Sequence, residues 1–319
     1  MSCRICGNSQ LNIFEAKEMM LGTRVTFEYM QCSSCSTIQV GTIPENLSDY
    51  YPSDYYSFQL ENNTHVYGAL KAKLLVKRDL NALNIKPSFL GKLIQGIRPS
   101  EFDARFLAYQ FVYRKLIENE GITIHDAGCG NGFFLKYFHD LGFKGLSGSD
   151  PFLSEAIAFG DYSIENKRLD SIEKTFNVII LNHVIEHVID PIHYLKIVHE
   201  KLSSGGECLV RTPMSTSIGF EKYGTHWVGL EPPRHLHIFD HHYFKELTES
   251  LGFECYAIEY DALGWHNEAS EAYKRDISLV EMEANSPFSQ EELKRFEKNA
   301  LDANKNKRGD TVAYYLKKK

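Results

Sequence analysis

The stretch "ITIHDAGCGNGFFLKYF", residues 122–138, runs from a β-branched segment through Asp126 into three glycines at alternate positions, then into an aromatic helical pattern. Glycine at that density marks a tight turn that a ligand approaches closely, because a Cβ would obstruct both. The dinucleotide fingerprint spaces its third glycine more widely and sets a pyrophosphate on the helix N-terminus. Here Gly128, Gly130 and Gly132 lie one residue tighter, and Asp126 directly before them repels a pyrophosphate and favours a cation. A second strand-like run, "GLSGSDP", ends in Asp150, about 20 residues past the first glycine, where a carboxylate takes two ribose hydroxyls. A nucleoside with a positive charge and no phosphates fits both carboxylates.

Four of the seven cysteines fall as "CRIC" (Cys3, Cys6) and "CSSC" (Cys32, Cys35), separated by a segment with β-rich flanks. Two such knuckles converge on a tetrahedral thiolate site, the ribbon arrangement of structural zinc. Free thiols and a redox pair are the alternatives, but a redox Cys-x-x-Cys belongs at a strand-to-helix junction that this segment lacks. Cys129, Cys208 and Cys255 read as small buried residues. The third group is histidine. "NHVIEHVIDP" sets His183, Glu186 and His187 at i, i+3 and i+4, so one helical turn would show all three on one face. "PPRHLHIFD" adds His235 and His237 in an extended stretch, one facing inward and the other outward.

The elements that must position these groups alternate: strand 122–127, helix to 141, strand 145–150, helix from Ser154, strand 176–182, helix from Pro191, strand 207–212. This pattern predicts a parallel sheet with helices on both faces. Ligands bind such sheets at the carboxyl ends of the strands, where both histidine segments fall. Residues 67–118 read as helix broken at Pro87 and Pro99. "LSDYYPSDYYSF", Leu47 to Phe58, reads as a flap. The predicted division is ribbon and flap at 1–58, helical linker at 59–118 and catalytic domain at 119–319, with a helical insertion at 262–310 before the last strand.

Bulk properties narrow the function. The 319 residues and 43% hydrophobic content support a sizeable core. Thirty-five basic against forty-two acidic residues, a formal charge of −7, argue against a non-specific nucleic-acid binder, which works by phosphate neutralisation. No apolar run reaches the length of a membrane span, and "MSCRICGNSQ" has no apolar segment of signal-peptide type. The chain reads as cytoplasmic, with no membrane span.

The succession "HDAGCGNG", "SGSDP", "FNVIILNHVIEHVIDP" and "LSSGGECLVRTP" resembles the ordered motifs of class I S-adenosylmethionine-dependent methyltransferases. The resemblance implies a Rossmann-like α/β fold with a mostly parallel seven-stranded sheet. It implies that Asp126, Gly128 and Gly130 lie under the methionine part of the cofactor and that Asp150 takes the ribose. Asp170 in "KRLDSI" would meet the adenine amine, and Asn182 would close the far side. The N-terminal four-cysteine ribbon narrows the resemblance, over residues 1 to about 260, to methyltransferases of deoxysugar and surface-glycan pathways. Arg234 stands where the C-methylating members carry an acid, and their second nucleotide-type domain is missing, so O-methylation of a glycan or nucleotide-linked sugar is the expected reaction. His235 would be the general base and His187 would orient the acceptor.

Two other readings stay open. "HVIEH" with a distant His resembles the metal-binding cluster of small-RNA 3′-terminal 2′-O-methyltransferases, with His183 in place of their first Glu. Mixed His and carboxylate ligands suit a transition metal gripping vicinal hydroxyls. The other is a non-catalytic adaptor that senses the cofactor.

Overall fold

The computed structural model describes residues 1–52, 67–103, 105–153, 155–159 and 162–319. The chain divides into two compact units: Met1–Pro52, His183–Lys196 and Arg211–Tyr314 in the first, and Ser53–Asn182, Ile197–Val210 and Tyr315–Lys319 in the second.

The first unit begins with β1 (Leu11–Lys17), β2 (Thr26–Cys32) and β3 (Ile38–Val40), an antiparallel run with Leu11 opposite Cys32 and Met30 opposite Gln39. Each Cys-x-x-Cys closes on a left-handed residue, Gly7 at φ 78° and Ser36 at φ 53°. Their N–H groups return to the carbonyls of Cys3 (2.9 Å) and Cys32 (3.0 Å), folding both knuckles the same way. Of the tyrosine-rich run, residues 47–50 form a 3₁₀ turn. Its remainder from residue 53, including Tyr55 and Tyr56, lies outside the described residues.

The second unit opens with α1 (Ala69–Ala82), α2 (Phe89–Ile97) and α3 (Leu107–Glu118), with Pro87 and Pro99 in the breaks. There follow β4 (Ile124–Ala127), α4 (Phe133–Asp140), β5 (Leu146–Ser149), β6 (Ile157–Phe159), β7 (Tyr162–Glu165) and β8 (Phe176–Asn182). β4 is parallel to both β5 and β8, and β5 to β7. Val178, Ile179, Ile180 and Leu181 are all buried, the uninterrupted apolar run of a parallel strand covered on both faces. Where a helix from Ser154 is expected, the described residues instead hold two short strands, β6 and β7, paired antiparallel with Ile157 opposite Ile164.

α5 (Pro191–Lys201) and β9 (Leu202–Pro213) run on through both units. The first unit then adds α6 (Ile218–Tyr223), β10 (His237–Ile238), α7 (His241–Ser250), β11 (Phe253–Tyr260), α8 (Gly264–Lys274), α9 (Leu279–Ala284) and α10 (Gln290–Lys305). β12 (Thr311–Lys318) ends the chain. In the second unit the sheet order is β12-β9-β8-β4-β5-β7-β6, and in the first it is β11-β12-β9. The start of β12 meets the end of β9 (Met214 N–H to Asp310 C=O, 3.0 Å), and its end meets the start of β9 (Lys318 Nζ to Leu202 C=O, 2.8 Å). β12 is therefore antiparallel to β9, and the fold is the Rossmann-like α/β arrangement expected, with β6 as an added edge strand.

In the first unit β10 joins the ribbon, giving the order β1-β2-β3-β10 with His237 opposite Gln39. Tyr29, Ile38, Val40, Trp227, Leu230, Leu236 and Ile238 form one buried cluster there. The cysteine-bearing ribbon and the "RHLHIF" segment thus share a single core.

Candidate active site

Asp126 sits on β4 immediately before the glycine turn and is 4% exposed. Among the described residues no donor satisfies its carboxylate, and burial, then the charge of Asp150, push its pKa up to about 7. Gly128, Gly130 and Gly132 all take left-handed φ values, 79°, 53° and 74°, and a Cβ on Gly132 would overlap Ile164. The turn also fixes the second carboxylate. Gly130 N–H donates to Asp150 Oδ2 and Phe152 N–H to Oδ1, both at 2.9 Å. Burial raises the Asp150 pKa despite those two bonds. A buried carboxylate lacking a donor beside bare backbone fits a cationic group, and Asp150 keeps lone pairs for hydroxyl donors. These residues therefore fit S-adenosylmethionine. Asp170 lies apart on an exposed 3₁₀ turn, Leu169–Ser171, paired with Arg168 at 3.0 Å. Asn182 ends β8 and is half-buried.

The histidine cluster lies in the first unit. The expected helical turn is instead a single 3₁₀ turn, Ile185–His187, with His183 outside it at φ 57°. The reason is local: His183 is spent in a polar chain, and its conformation breaks any helix. Its Nδ1–H meets Glu186 Oε1 at 3.0 Å, its Nε2 accepts from Arg211 Nη1 at 2.5 Å, and Arg211 Nε donates to Asp261. Glu186 is fully buried and also accepts from Thr212 Oγ1 at 2.9 Å. Burial alone would raise its pKa, but the His183 bond and the charges of His183, His187 and His235 outweigh it and hold the group at about 2.

His187 and His235 come together, with ring centroids 4.7 Å apart at 71°. His187 Nδ1 lies 3.0 Å from the Arg234 carbonyl and 2.9 Å from Tyr51 Oη, and His235 Nδ1 lies 2.8 Å from the Gly229 carbonyl. A carbonyl only accepts, so each ring carries a proton on Nδ1, and Nε2 is the ring atom left for other partners. One ligand atom each from Glu186, His187 and His235 lies within 4.8 Å of the others. His187 is lowered to about 4, by burial first and the charge of His235 second, so it is neutral at pH 7. His235 Nε2 also faces Glu231 Oε2 at 3.5 Å.

The ribbon positions this cluster. Tyr29 Oη donates to the His235 carbonyl at 2.9 Å and Val40 N–H to that of Leu236 at 3.1 Å. Arg234, fully buried, pairs with buried Glu18 at 3.0 Å and with Glu231 at 2.9 Å. His237, expected to face outward, is fully buried, its Nδ1 3.2 Å from the Val188 carbonyl. Alternation along β10 does not carry it to solvent because both faces of that two-residue strand are covered.

Cys3 Sγ lies 3.6 Å from Cys35 Sγ, and Cys6 Sγ lies 3.5 Å from Cys32 Sγ. All four sulfurs fall within 4.8 Å of one another. Four thiolates at about 2.3 Å from a tetrahedral zinc stand roughly 3.8 Å apart, so the set fits that ion. The sequence did not flag Glu18, Glu231 or Arg211, isolated charges without pattern. Tyr51 was flagged only as part of an aromatic run.

Residues 101–258 match a family model described as "Methyltransferase domain". The tRNA U34 carboxymethyltransferase of Campylobacter hominis is 28% identical over 146 residues, 41% of this chain and 50% of that protein. The tRNA U34 carboxymethyltransferase of Wolinella succinogenes is 32% identical over 104 residues, 28% of this chain and 37% of that protein. The chain thus spans half the length or less of these curated relatives. A solved S-adenosylmethionine-dependent methyltransferase from Archaeoglobus fulgidus is similar over 72% of this chain and 100% of its own, at 18% identity and TM-score 0.42.

Proposed function

Taking as premise that the chain carries a class I S-adenosylmethionine-dependent methyltransferase domain, matched over residues 101–258, we propose that the protein transfers the cofactor's methyl group to a hydroxyl, with His235 as base. The cofactor supplies an electrophilic methyl on sulfur. The chain's own work is to hold the cationic end at Asp126 and the glycine turn and the ribose at Asp150, with Asn182 closing the far side; Asp170 would reach the adenine amine only by leaving its pairing with Arg168. It then takes a proton from the acceptor. The observation that carries the reading is the bond of His235 Nδ1 to the Gly229 carbonyl, which commits that nitrogen and leaves Nε2 as the ring atom to meet an acceptor hydroxyl. His187, neutral and with its Nδ1 committed likewise, orients the acceptor.

The acceptor we favour is a sugar hydroxyl on a glycan or nucleotide-linked sugar, supported by the four-cysteine ribbon beside this motif set and by the −7 formal charge. Zinc in the Cys3, Cys6, Cys32 and Cys35 site would be structural, since these residues share a sheet with the histidine segment.

A second reading has an observation of its own. Glu186, His187 and His235 converge closely enough to hold a divalent ion, and both histidines donate Nδ1–H to backbone carbonyls, as metal-bound histidines do. Such an ion would grip a diol, including a ribose, and the names of the two curated relatives make tRNA an acceptor to include. Methyl-labelled cofactor offered with nucleotide sugars, glycans and tRNA, with and without a weak chelator, separates the readings. Chelator-resistant transfer to sugars supports the base mechanism. Metal-dependent transfer to a diol or to tRNA moves the assignment to the second.

A further inference from the structure

We propose that α2 and its flanks form a docking surface for an anionic lipid membrane. The helix reads "FLGKLIQGI", and three large apolar side chains lie outward at i, i+4 and i+8: Phe89 is 87% exposed, Leu93 51% and Ile97 80%. That spacing makes one continuous stripe along the helix. The opposite side is anchored. Gly91 is buried where a Cβ would strike the Lys77 carbonyl, Asn81 Nδ2 donates to Gln95 Oε1 at 2.8 Å, and Ser88 caps the first turn through Gly91 N–H at 3.0 Å. The stripe is therefore presented by a helix seated on α1, and its exposure is not fraying.

Charge selects the occupant. Between Tyr67 and Ser100 the exposed ionisable residues are Lys71, Lys73, Lys77, Lys86, Lys92 and Arg98, all positive. The one acid there, Asp79, is fully buried and receives Arg78, Ser100 and Tyr113. A chain with a formal charge of −7 thus carries six exposed cations and no exposed acid in the segment 67–100 that bears the apolar stripe. Apolar side chains that enter the acyl boundary while flexible lysines reach the headgroup phosphates are the composition of an interfacial helix. RNA would use the cations but leave Leu93 and Ile97 without a role, because base stacking needs planar groups. An acidic protein could use both features, but nothing on the stripe offers the hydrogen-bonding groups that a polar rim supplies.

The test is flotation of the full chain with phosphatidylcholine vesicles, alone or mixed with phosphatidylglycerol. Binding is expected to the mixed vesicles, to weaken with salt, and to be far lower on phosphatidylcholine alone. The triple variant Phe89→Ser, Leu93→Ser, Ile97→Ser should lower partitioning about tenfold or more, and Lys86→Glu with Lys92→Glu should do the same. These side chains are exposed, so both variants should keep the wild-type circular dichroism spectrum. Absence of flotation overturns the proposal, as does flotation that the serine variant retains. Binding of an acidic polypeptide or single-stranded RNA without any vesicle binding would also overturn it, by giving the surface to that partner.

Discussion

The buried carboxylate of Asp126 yields a quantitative expectation. Its pKa of about 7 against an ordinary 3.8 is roughly three units, or ~4 kcal/mol between its protonation states. The folded value is raised, so this contribution to stability is full below 3.8 and is lost as pH rises through 7. A cation at Asp126 favours the ionised form, so the ligand must displace a proton from the free protein below pH 7. Affinity for S-adenosylmethionine should then be level above pH 7 and fall about tenfold per unit below it, ~100-fold by pH 5. Binding at pH 6 should release about 0.9 proton, readable by calorimetry in two buffers of different ionisation heat. Asp126→Asn should bind weakly, with no pH dependence in this window. An affinity independent of pH, or binding without proton release, would refute the assignment of Asp126 to the cationic end.

Other outcomes follow from the same geometry. Elemental analysis should find one zinc per chain, lost in Cys32→Ser together with protease resistance of the N-terminal ribbon. Arg234→Met leaves Glu18 buried without its partner and should cost ~3–5 kcal/mol in denaturant unfolding. Acidification should withdraw the contribution of His187, opposite in sign to that of Asp126. His187 is held at about 4 against an ordinary 6.5, so stability is full above 6.5 and drains by up to ~3 kcal/mol toward pH 4, a loss that His187→Asn should remove. His237→Ala, at a buried position whose Nδ1 meets the Val188 carbonyl, should lower the melting temperature and spare turnover per folded molecule.

The tight turn at Gly128, Gly130 and Gly132 and its closeness to Asp150 were legible because left-handed backbone needs glycine and Asp150 directly follows the neighbouring parallel strand. Both show as residue types at fixed spacing. The strands were legible for a similar reason, since buried parallel strands allow few polar residues. The strands β6 and β7 are not legible because two runs of three and four residues carry little periodicity against neighbouring helical signals. The histidine cluster was only half legible. Spacing grouped His183, Glu186 and His187, but it could not show that His183 turns away into Arg211. Nor could it show that His235 arrives on a strand laid against the cysteine ribbon, since that pairing of β3 with β10 joins segments about 200 residues apart and leaves no local pattern. Arg234 was visible only as a departure from a motif, whereas the structure makes it the buried clamp between Glu18 and Glu231.

The most direct test of the central claim is turnover of His235→Asn with methyl-labelled cofactor and the acceptor that the wild type methylates. The side chain removed is the proposed proton acceptor. The account predicts a fall in kcat of about 10² or more, an unchanged cofactor affinity, and label recovered from the wild-type product as an ether methyl. Full activity in His235→Asn, or label recovered on carbon or nitrogen, would contradict it.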